Sequence, residues 1–420
     1  MSTVTGSMFG DLLFGAQLKF GRPLMKALMK GDPFIDLLLG VEDPRPIYDA
    51  IRAGGPLYQS KGNALVITSH TLGTQVLRDR RLHICHTNGK APGMELMEKV
   101  GWDGSILNLD PPDHTRLRRL AQPAFTPRKI EAYRVGVERV CNELLDKAEA
   151  RGEFDLIRDY AGPLPLAVIG EMLGVPESEY DRFYRHGRVI GSIIDGVKSL
   201  EMAREFKDAH GAYLQLFAEL IEARRAEPAD DLVSVLVAAH GEDKVTEHEL
   251  LALCAVLAVT GFETTTNLIG NATLALLEHP EQWEMFRENP ELGPKLVEET
   301  LRYDSPALQA TRIPHEEVEF AGQQIKADQA LVVLVGAANH DPEVYRDPDR
   351  FDITREGEPE HLSFSGGIHY CIGAPLARME GDVAMRVLAE RMPKLRANGP
   401  QRRRSSPVIS GVHTFPVAVS

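Results

Sequence analysis

Apolar residues recur at intervals of three and four along most of the chain, which is the spacing of one face of an α-helix. The segments with the clearest pattern are 128–150, 200–225, 246–278 and 293–303. Runs of strand-forming residues are short and lie at 65–68, 318–320, 330–334 and in the C-terminal tail. Because strands and helices do not alternate, a doubly wound sheet is disfavoured. The pattern predicts a mainly α fold with small β-sheets.

The longest weakly charged stretch is 250–277, in which Glu263 is the only charged residue. Its length would suffice to cross a membrane. Its centre is polar, however, because a glycine, four threonines and an asparagine cluster there. Thr246 and Glu249 form a capping box at its start. We therefore predict a buried core helix rather than a membrane span.

The composition is that of a globular protein with a negative net charge. The chain has 420 residues, 43% of them hydrophobic, and a net charge of -14. This charge disfavours general binding to nucleic acid or anionic membranes, although it does not exclude a local basic patch. The first twenty residues do not resemble a signal peptide, and we interpret the mildly amphipathic segment 8–40 as a surface helix rather than a membrane anchor. No linker or repeat divides the chain.

Cysteines are few and widely spaced. The four cysteines are Cys85, Cys141, Cys254 and Cys371. Without a CxxC pair, a disulfide framework or a zinc ribbon is improbable, and a reducing cytoplasm fits. His83, Cys85 and His86 lie too close together in sequence to give good metal-ligand geometry.

Cys371 lies in the segment FSGGIHYCIGAPLAR, which starts at Phe364. A helix is predicted to begin near Ala374, so its free N–H groups and dipole would stabilise a thiolate at residue 371. Gly367 and Gly373 would let the backbone approach a flat ligand closely. The alternative is a buried inert thiol, which is the usual role of a free cysteine.

The fixed points of this segment, FxxGxHxCxG, resemble the haem-binding loop of the cytochrome P450 family. The resemblance implies that Cys371 is the axial thiolate ligand of a haem b iron. It also implies that Phe364, Gly367 and Gly373 belong to the cofactor-binding loop. It extends over the whole chain and implies a single haem domain, residues 1–420, with the cytochrome P450 fold. In that fold the haem lies between the central long helix and the cysteine loop.

The segment DPPDHTRLRRL is predicted to open a helix, with Asp110 as the N-cap and Pro111 at the first helical position. His114 and Arg118 are four residues apart, share a helical face and could clasp a carboxylate. The alternative for each is a solvated basic residue. The resemblance implies that the carboxylate is a haem propionate. The further propionate partners that it implies are Arg312 and His369.

Glu299 and Arg302 are three residues apart on a predicted helix, so their side chains can pair. Alone, such a pair is usually a weak surface salt bridge. The resemblance implies instead a buried Glu–Arg–Arg network, with Arg350 as its third member. This network would support folding and the haem pocket rather than the chemistry.

The segment TGFETT in the central helix resembles the family's (A/G)Gx(D/E)TT motif. The resemblance implies that Glu263 is the acid and Thr264 the alcohol of a proton relay for dioxygen activation. The alternative is a satisfied buried pair. Two positions depart from the family pattern. Thr260 stands where Ala or Gly is usual and could alter substrate position or proton delivery, whereas His340 stands where Arg is common and would affect local structure.

The regions that select substrates in this family are here mainly apolar and poor in aromatic residues. They cover 84–106, 178–212, 252–260, 305–311 and 411–415. The apolar residues expected there are Met94, Leu96, Met97, Val189, Ile190, Ile193, Ile194, Val256, Val259, Leu308, Val412 and Phe415. They favour a hydrophobic, elongated or aliphatic substrate, and a lipid, terpenoid, steroid or polyketide would fit.

We therefore expect a cytoplasmic haem-thiolate monooxygenase that hydroxylates or epoxidises a hydrophobic substrate with dioxygen. The chain has no flavin or nicotinamide unit, so a separate ferredoxin or flavodoxin, with its reductase, would supply the electrons. A basic group could dock this partner or be an ordinary solvated helix face: Arg116, Arg119, Arg128 and Lys129. The alternatives are an atypical family member (peroxide-driven, desaturating or carbon–carbon coupling) and a haem-binding sensor without turnover. A proton relay argues against the sensor.

Overall fold

The computed structural model describes residues 8–41, 43–92, 106–192, 197–241, 244–404 and 406–419. Its helices are α1 Met8–Leu28, α2 Pro33–Leu38, α3 Arg45–Arg52, α4 His70–Arg78, α5 Asp113–Ala121, α6 Pro127–Glu149, α7 Pro163–Leu173, α8 Tyr180–Ser192, α9 Leu200–Ala226, α10 Leu232–Gly241, α11 Glu247–Glu278, α12 Pro280–Glu288, α13 Gly293–Tyr303, α14 Val335–Ala338 and α15 Ala374–Arg391. Its strands are β1 Tyr58–Gln59, β2 Leu65–Ile67, β3 Leu82–His83, β4 Glu153–Asp155, β5 Gln309–Pro314, β6 Val318–Phe320, β7 Gln323–Ile325, β8 Leu331–Leu334, β9 Arg396–Ala397, β10 Arg402–Arg403, β11 Val412–Thr414 and β12 Pro416–Ala418.

Small sheets join distant parts of the chain. One sheet has the strand order β1-β2-β8-β5-β3, in which β2 pairs parallel with β8 and β5 pairs antiparallel with β8. A second sheet, in the order β4-β12-β9, brings the C-terminal strand to the middle of the chain. The pairs β6–β7 and β10–β11 are antiparallel. The mainly α architecture with small sheets is confirmed.

The central helix α11 is the scaffold of the site. It packs against α7, α9, α13 and α15. At its N-terminus, Glu249 N–H donates to the Thr246 hydroxyl, and Thr246 N–H donates to the Glu249 carboxylate over 2.8 Å, so the predicted capping box forms. The helix is long and apolar enough to cross a membrane, yet 72% of its most apolar window is buried in the protein. It is a core helix, as predicted.

The helices predicted from periodicity begin and end within one residue of their observed bounds. Each of them combines a periodic apolar face with a clear terminus. In α6 the clear terminus is Pro127 in the first turn, and in α9 it is Ser199, whose hydroxyl accepts from Met202 N–H. Local signals and tertiary packing agree in these segments, so the sequence determines their bounds.

A buried ion pair fixes α13 to the segment that follows β8. Glu299 and Arg302 are each 3% exposed, and Arg302 donates to both Glu299 carboxylate oxygens over 2.7 and 2.8 Å. The remaining guanidinium donors bond the carbonyls of Asn339, Pro348 and Arg350. Because every polar group finds a partner, this charge pair is tolerated in the interior.

The third arginine of this network is Arg355, and the prediction of Arg350 was wrong. The Arg350 side chain is 65% exposed and lies 3.7 Å from Asp352. The Arg355 side chain is 11% exposed and contacts Glu299 at 3.3 Å and Glu358 at 2.9 Å. Arg350 contributes its main-chain carbonyl instead, which accepts from both Arg302 and Arg355. The loop conformation, which has no periodic signal in the sequence, decides which arginine turns inward.

We predict that Arg355→Gln lowers the free energy of unfolding by about 2 kcal/mol, because charged hydrogen bonds to a buried carboxylate are lost. Arg350→Gln is the matched control and should change stability by less than about 0.5 kcal/mol, as expected for an exposed side chain. Urea unfolding of the purified protein measures both. Equal losses in the two variants would contradict the assignment of Arg355.

Candidate active site

A cavity of about 330 Å³ lies between α5, α11 and the loop that precedes α15. The polar and small residues on its wall are His114, Arg118, Thr260, Gly261, Thr264, Thr265, Ser363, Ser365, His369, Cys371, Gly373 and Glu380. The other wall residues are mostly aliphatic. The cavity therefore combines one thiol, a cationic end and an apolar interior.

The loop from Phe364 to Gly373 presents the Cys371 thiol to this cavity. Cys371 N–H donates to the Phe364 carbonyl over 2.9 Å, which closes the loop. Gly367 has φ +66°, and a Cβ there would lie 2.6 Å from the Leu77 carbonyl oxygen, so only glycine fits. The exposed surface of Cys371 faces the cavity, which it lines.

Burial and the neighbouring groups act in opposite directions on the Cys371 thiol. Burial raises its pKa, whereas a backbone N–H hydrogen bond from Gly373, the charge of Arg118 on α5 and an N–H from Ala374 lower it. The helix α15 begins at Ala374 as predicted, so these amides are the free N–H groups of a helix N-terminus. The site thus carries the groups that stabilise a thiolate ligand.

The other cysteines are enclosed in protein. Burial raises the pKa of Cys85 to about 11 and those of Cys141 and Cys254 to about 12. The Cys85 thiol donates to the Asn108 carbonyl over 3.1 Å. These thiols stay protonated at neutral pH and do not line the cavity. Cys371 is the cysteine in position to bind a metal centre there.

Four basic side chains, His114, Arg118, Arg312 and His369, form a cluster, of which His114, Arg118 and His369 line one end of the cavity and Arg312 lies behind its wall at Ser365. The rings of His114 and His369 are 4.1 Å apart, and each ring keeps a buried nitrogen without a partner, Nδ1 of His114 and Nε2 of His369. Arg118 donates to the Tyr370 carbonyl over 2.6 Å. Arg312 is 4% exposed and donates to the Gly366 carbonyl and the Ser365 hydroxyl.

The four basic side chains of this cluster have no carboxylate hydrogen-bond partner among the described residues. Burial lowers the pKa of all four groups, to about 3 for His369 and to about 10 for Arg312. The charges of Arg118 and Arg312 further lower the pKa of His114. A bound carboxylate would satisfy the vacant histidine nitrogens and neutralise the cluster, so these residues fit a haem whose propionates lie at this end.

The predicted cap of α5 is wrong. The helix begins at Asp113, after Pro112, and the Asp110 carboxylate instead accepts from the N–H groups of Ile84 and Cys85 over 2.9 and 3.0 Å. Asp110 therefore ties the segment after β3 to the start of α5. The shift leaves His114 and Arg118 on one face, and both reach the cavity.

The face of α11 that lines the cavity is rich in threonine. Each hydroxyl donates to the carbonyl four residues earlier: Thr260 to Val256, Thr264 to Thr260 and Thr265 to Gly261, over 2.8 to 3.1 Å. The hydroxyl protons are thus directed back into the helix, whose hydrogen bonding continues through this region. Their oxygen lone pairs remain available to accept hydrogen bonds from the cavity.

Glu263 does not line the cavity. Its carboxylate forms an ion pair with Arg404 near the β10 strand, and both side chains are largely buried. Gly191 of α8 lies against it, since a Cβ at that position would be 2.9 Å from Glu263 Oε2. Glu263 and Thr264 are adjacent on the helix but face different neighbours. The acid faces α8 and the β10–β11 hairpin, and the alcohol faces the cavity.

The two departures from the family pattern lie in different places. Thr260 is on the cavity wall, one turn before Thr264, whose hydroxyl it accepts through its carbonyl. His340 lies behind α11, away from this cavity, where burial lowers its pKa to about 4 and its Nδ1 is 2.9 Å from the Gly336 carbonyl.

Sequence reasoning missed two residues of the site. Glu380 on α15 lines the cavity at 2% exposure, and burial raises its pKa well above the usual range, so it is a neutral acid there. Arg378 stacks on Phe364, with its guanidinium 4.5 Å from the ring centroid, and donates to both oxygens of Glu298. The residues three and four positions from Glu380 are apolar, so the sequence places this carboxylate on a buried helical face. Because charged residues are rare on such a face, this position would have indicated a functional role for Glu380.

The apolar wall differs from the predicted residues and lies only partly in the predicted regions. Ile84, Ile106 and Leu257 fall within 84–106 and 252–260. Other large apolar wall residues lie outside every predicted region: Leu107, Phe125, Ile169, Leu268, Leu301, Ile372 and Leu376. The predicted residues that instead pack elsewhere are Val189, Ile190, Val256, Val259, Leu308, Val412 and Phe415. Those outside the described residues are Met94, Leu96, Met97, Ile193 and Ile194. A pattern of apolar residues cannot distinguish a cavity wall from a core contact, which explains the difference.

The chain is similar to known proteins over nearly its whole length. Residues 194–391 match the family model Cytochrome P450. The Putative cytochrome P450 140 of Mycobacterium bovis is 37% identical over 428 aligned residues, which cover 98% of this chain and 96% of the relative. P450BioI, solved with an acyl carrier protein bearing hexadec-9Z-enoic acid, has a TM-score of 0.83 at 34% identity and covers 92% of this chain and 100% of its own. CYP109E1 of Bacillus megaterium, solved with testosterone, has a TM-score of 0.80 at 30% identity over 90% of this chain and 99% of its own.

Proposed function

The chain belongs to the cytochrome P450 family of haem b monooxygenases, and on this premise we propose that it hydroxylates or epoxidises an elongated aliphatic substrate in the cytoplasm. We infer that residues 1–420 form one haem domain, which the near full-length match to the mycobacterial relative supports. The observation that carries the proposal is that the Cys371 thiol and the Thr264 hydroxyl line the same cavity as three members of the basic cluster.

We assign Cys371 as the residue whose thiolate would bind the haem iron, and the basic cluster as the group that would hold the propionates. When bound, the haem supplies an iron at which dioxygen is activated, and a thiolate ligand favours O–O cleavage. Phe364 and Gly373 hold the loop around the sulfur, and the N–H groups at the start of α15 stabilise its negative charge.

We assign Thr264 as the residue whose hydroxyl positions a proton donor, such as a water, in the cavity. The Thr264 hydroxyl donates its hydrogen bond to the Thr260 carbonyl. Its oxygen can therefore accept a hydrogen bond from a water or a substrate hydroxyl in the cavity. We assign Glu263 as the acid that exchanges protons with the surface through its contact with Arg404 and α8. The neutral acid Glu380 on α15 offers a second proton in the same cavity.

Replacing Cys371 with Ala should abolish the long-wavelength Soret band of the ferrous carbon monoxide complex, because this band requires a thiolate ligand. The matched control is Cys254→Ala, which removes a thiol that is buried in the core and should leave the band in place. Far-UV circular dichroism verifies that both variants fold. Retention of the band in the first variant would refute the ligand assignment.

Replacing Thr264 with Ala should keep the haem spectrum but divert reducing equivalents to hydrogen peroxide, with roughly tenfold less product per reductant. Thr266→Ala is the control, because Thr266 also donates to a carbonyl four residues earlier but does not line the cavity. Simultaneous assays of reductant, peroxide and product give the coupling. If both variants form the same amount of product per reductant consumed, Thr264 has no part in the proton relay.

The aliphatic wall supports a flexible apolar chain as the substrate. P450BioI was solved with an acyl chain and CYP109E1 with a steroid, so membership of the family leaves several apolar substrates open. In this chain the wall side chains Ile84, Ile106 and Leu107 are aliphatic, which is the basis for proposing an aliphatic chain rather than a steroid. Titration with alkanoic acids and with steroids, followed by the Soret shift, separates the two classes. We expect the larger shift with the acids.

We propose that a separate ferredoxin or flavodoxin docks beside the cysteine loop. Of the basic residues singled out in the sequence, two are already paired: Arg116 with Glu249, and Lys129 with Asp230. The others are exposed: Arg119 follows Arg118, which bonds the loop at Tyr370, and Arg128 opens α6. Ile368 of the loop is 41% exposed. An apolar side chain with cations beside it suits an acidic redox protein.

Arg119→Glu should slow reduction of the ferric protein by an acidic ferredoxin, on the order of tenfold at low salt and less at high salt. Reduction by dithionite should be unchanged. Lys394→Glu changes the charge equally just beyond the far end of α15, a helix that spans about 27 Å, and should have little effect. Stopped-flow absorbance measures the rates. Equal slowing by both variants would exclude docking at the cysteine loop.

A further inference from the structure

The N-terminal helix α1 exposes a strip of large apolar side chains. Phe20, Leu24 and Leu28 are 60%, 57% and 72% exposed. They account for three of the seven exposed large hydrophobic side chains among the described residues. At a spacing of four residues they lie along one side of the helix. This strip has no partner within the part of the chain that the structure describes.

A different side of α1 fixes it to the body of the protein. Phe14 is 2% exposed within the main core, and Leu18 packs against that core. The helix packs against α9 and α2, and the Arg22 guanidinium donates to the Leu39 carbonyl. The exposed strip is therefore held on a docked helix, and its orientation is set by these contacts.

The same segment is strongly basic in an acidic protein. Residues 12–31 contain four basic residues and no acidic one, whereas the whole chain has a net charge of -14. The four basic residues are Lys19, Arg22, Lys26 and Lys30, and all are exposed. Among the described residues, no carboxylate pairs with Lys19, Lys26 or Lys30. The local charge is thus available to an anionic partner.

We propose that α1 binds reversibly to the surface of an anionic phospholipid bilayer. The strip of Phe20, Leu24 and Leu28 would enter the boundary between head groups and acyl chains. Lys19, whose ammonium lies 5.6 Å from the Phe20 ring, would meet the phosphates beside it, and the other basic residues of the segment would add a longer-range attraction to the anionic surface. The helix lies on the surface and does not span the membrane, because its basic residues would not cross the hydrocarbon core. This contact goes beyond the oxidation chemistry and does not depend on it.

The shape of the strip favours a bilayer over a protein partner. Three side chains in line on a convex helix offer no pocket, and a stable protein interface requires about 1,200 Å² or more of complementary surface. A lipid surface adapts to a single helix and supplies negative charge along its whole length. The bilayer would also bring α9, and with it α8, close to a reservoir of apolar molecules, since these helices pack against one another.

The test is sedimentation of the full-length haem-loaded protein with phospholipid vesicles. One vesicle type contains phosphatidylcholine alone, and the other contains equal parts of phosphatidylcholine and phosphatidylglycerol. We expect about fivefold more bound protein on the anionic vesicles at about 0.05 M salt, and a large loss of binding at about 0.5 M salt. No substrate or turnover is involved, so the result is independent of the proposed reaction.

Two variants that each remove exposed apolar side chains distinguish the effect of the strip from that of exposed apolar residues elsewhere on the protein. The triple variant Phe20→Ser, Leu24→Ser, Leu28→Ser should bind anionic vesicles about fivefold less than the parent protein. The control variant Val135→Ser, Val235→Ser removes side chains that are 74% and 46% exposed on α6 and α10, and it should bind like the parent. The carbon monoxide spectrum verifies that both variants keep their fold.

The proposal is overturned if the parent protein does not bind anionic vesicles at low salt, or if the triple variant binds as well as the control. A third outcome also overturns it: sedimentation equilibrium could show that the strip joins two copies of the chain, with the triple variant monomeric and vesicle binding absent. Lys19→Gln with Lys26→Gln should reduce binding to anionic vesicles only. Unchanged binding in that variant would exclude the cationic contribution.

Discussion

Two adjacent carboxylates on α13 hold the structure around the cavity together. Glu299 is buried and pairs with Arg302, which bonds carbonyls of the segment after β8. Glu298 accepts from Arg378 on α15, whose guanidinium stacks on Phe364. A charge in the interior is stable only when every donor and acceptor is satisfied, so these contacts tolerate little displacement. One turn of helix thereby sets the distance between α15, the cysteine loop and the central helix.

Much of this arrangement follows from the sequence where helical spacing carries the information. The helices α6, α9, α11 and α13 begin and end where their apolar periodicity and caps indicate. His114 and Arg118 reach the same cavity because they are one turn apart on α5. Cys371 was identified through its resemblance to a known motif, and physics alone indicated only a thiol near a helix N-terminus. Its place on the cavity wall agrees with that interpretation.

The sequence was less informative where a loop decides which side chain turns inward. Arg350 and Arg355 are five residues apart in a segment without regular structure, and the main chain directs the second to Glu299. Asp110 caps no helix because its carboxylate binds the amides after β3, a contact between segments more than twenty residues apart. Glu380 was missed for a different reason: an acidic residue in a helix is usually expected at the surface, although the apolar residues three and four positions away indicated the buried face on which it lies.

The C-terminal residues are integrated into the fold, and this constrains how the protein can be engineered. Strand β12 pairs with both β4 and β9, and the carbonyl of Phe415 accepts from Leu156 N–H. The hairpin before it carries Arg404, the partner of Glu263, and Gly411 lies so close to α11 that a Cβ would collide with Asn267. Truncation of the last ten residues would therefore remove the two strands β11 and β12 and loosen the cover of the central helix. A purification tag at that end calls for a flexible spacer after residue 420.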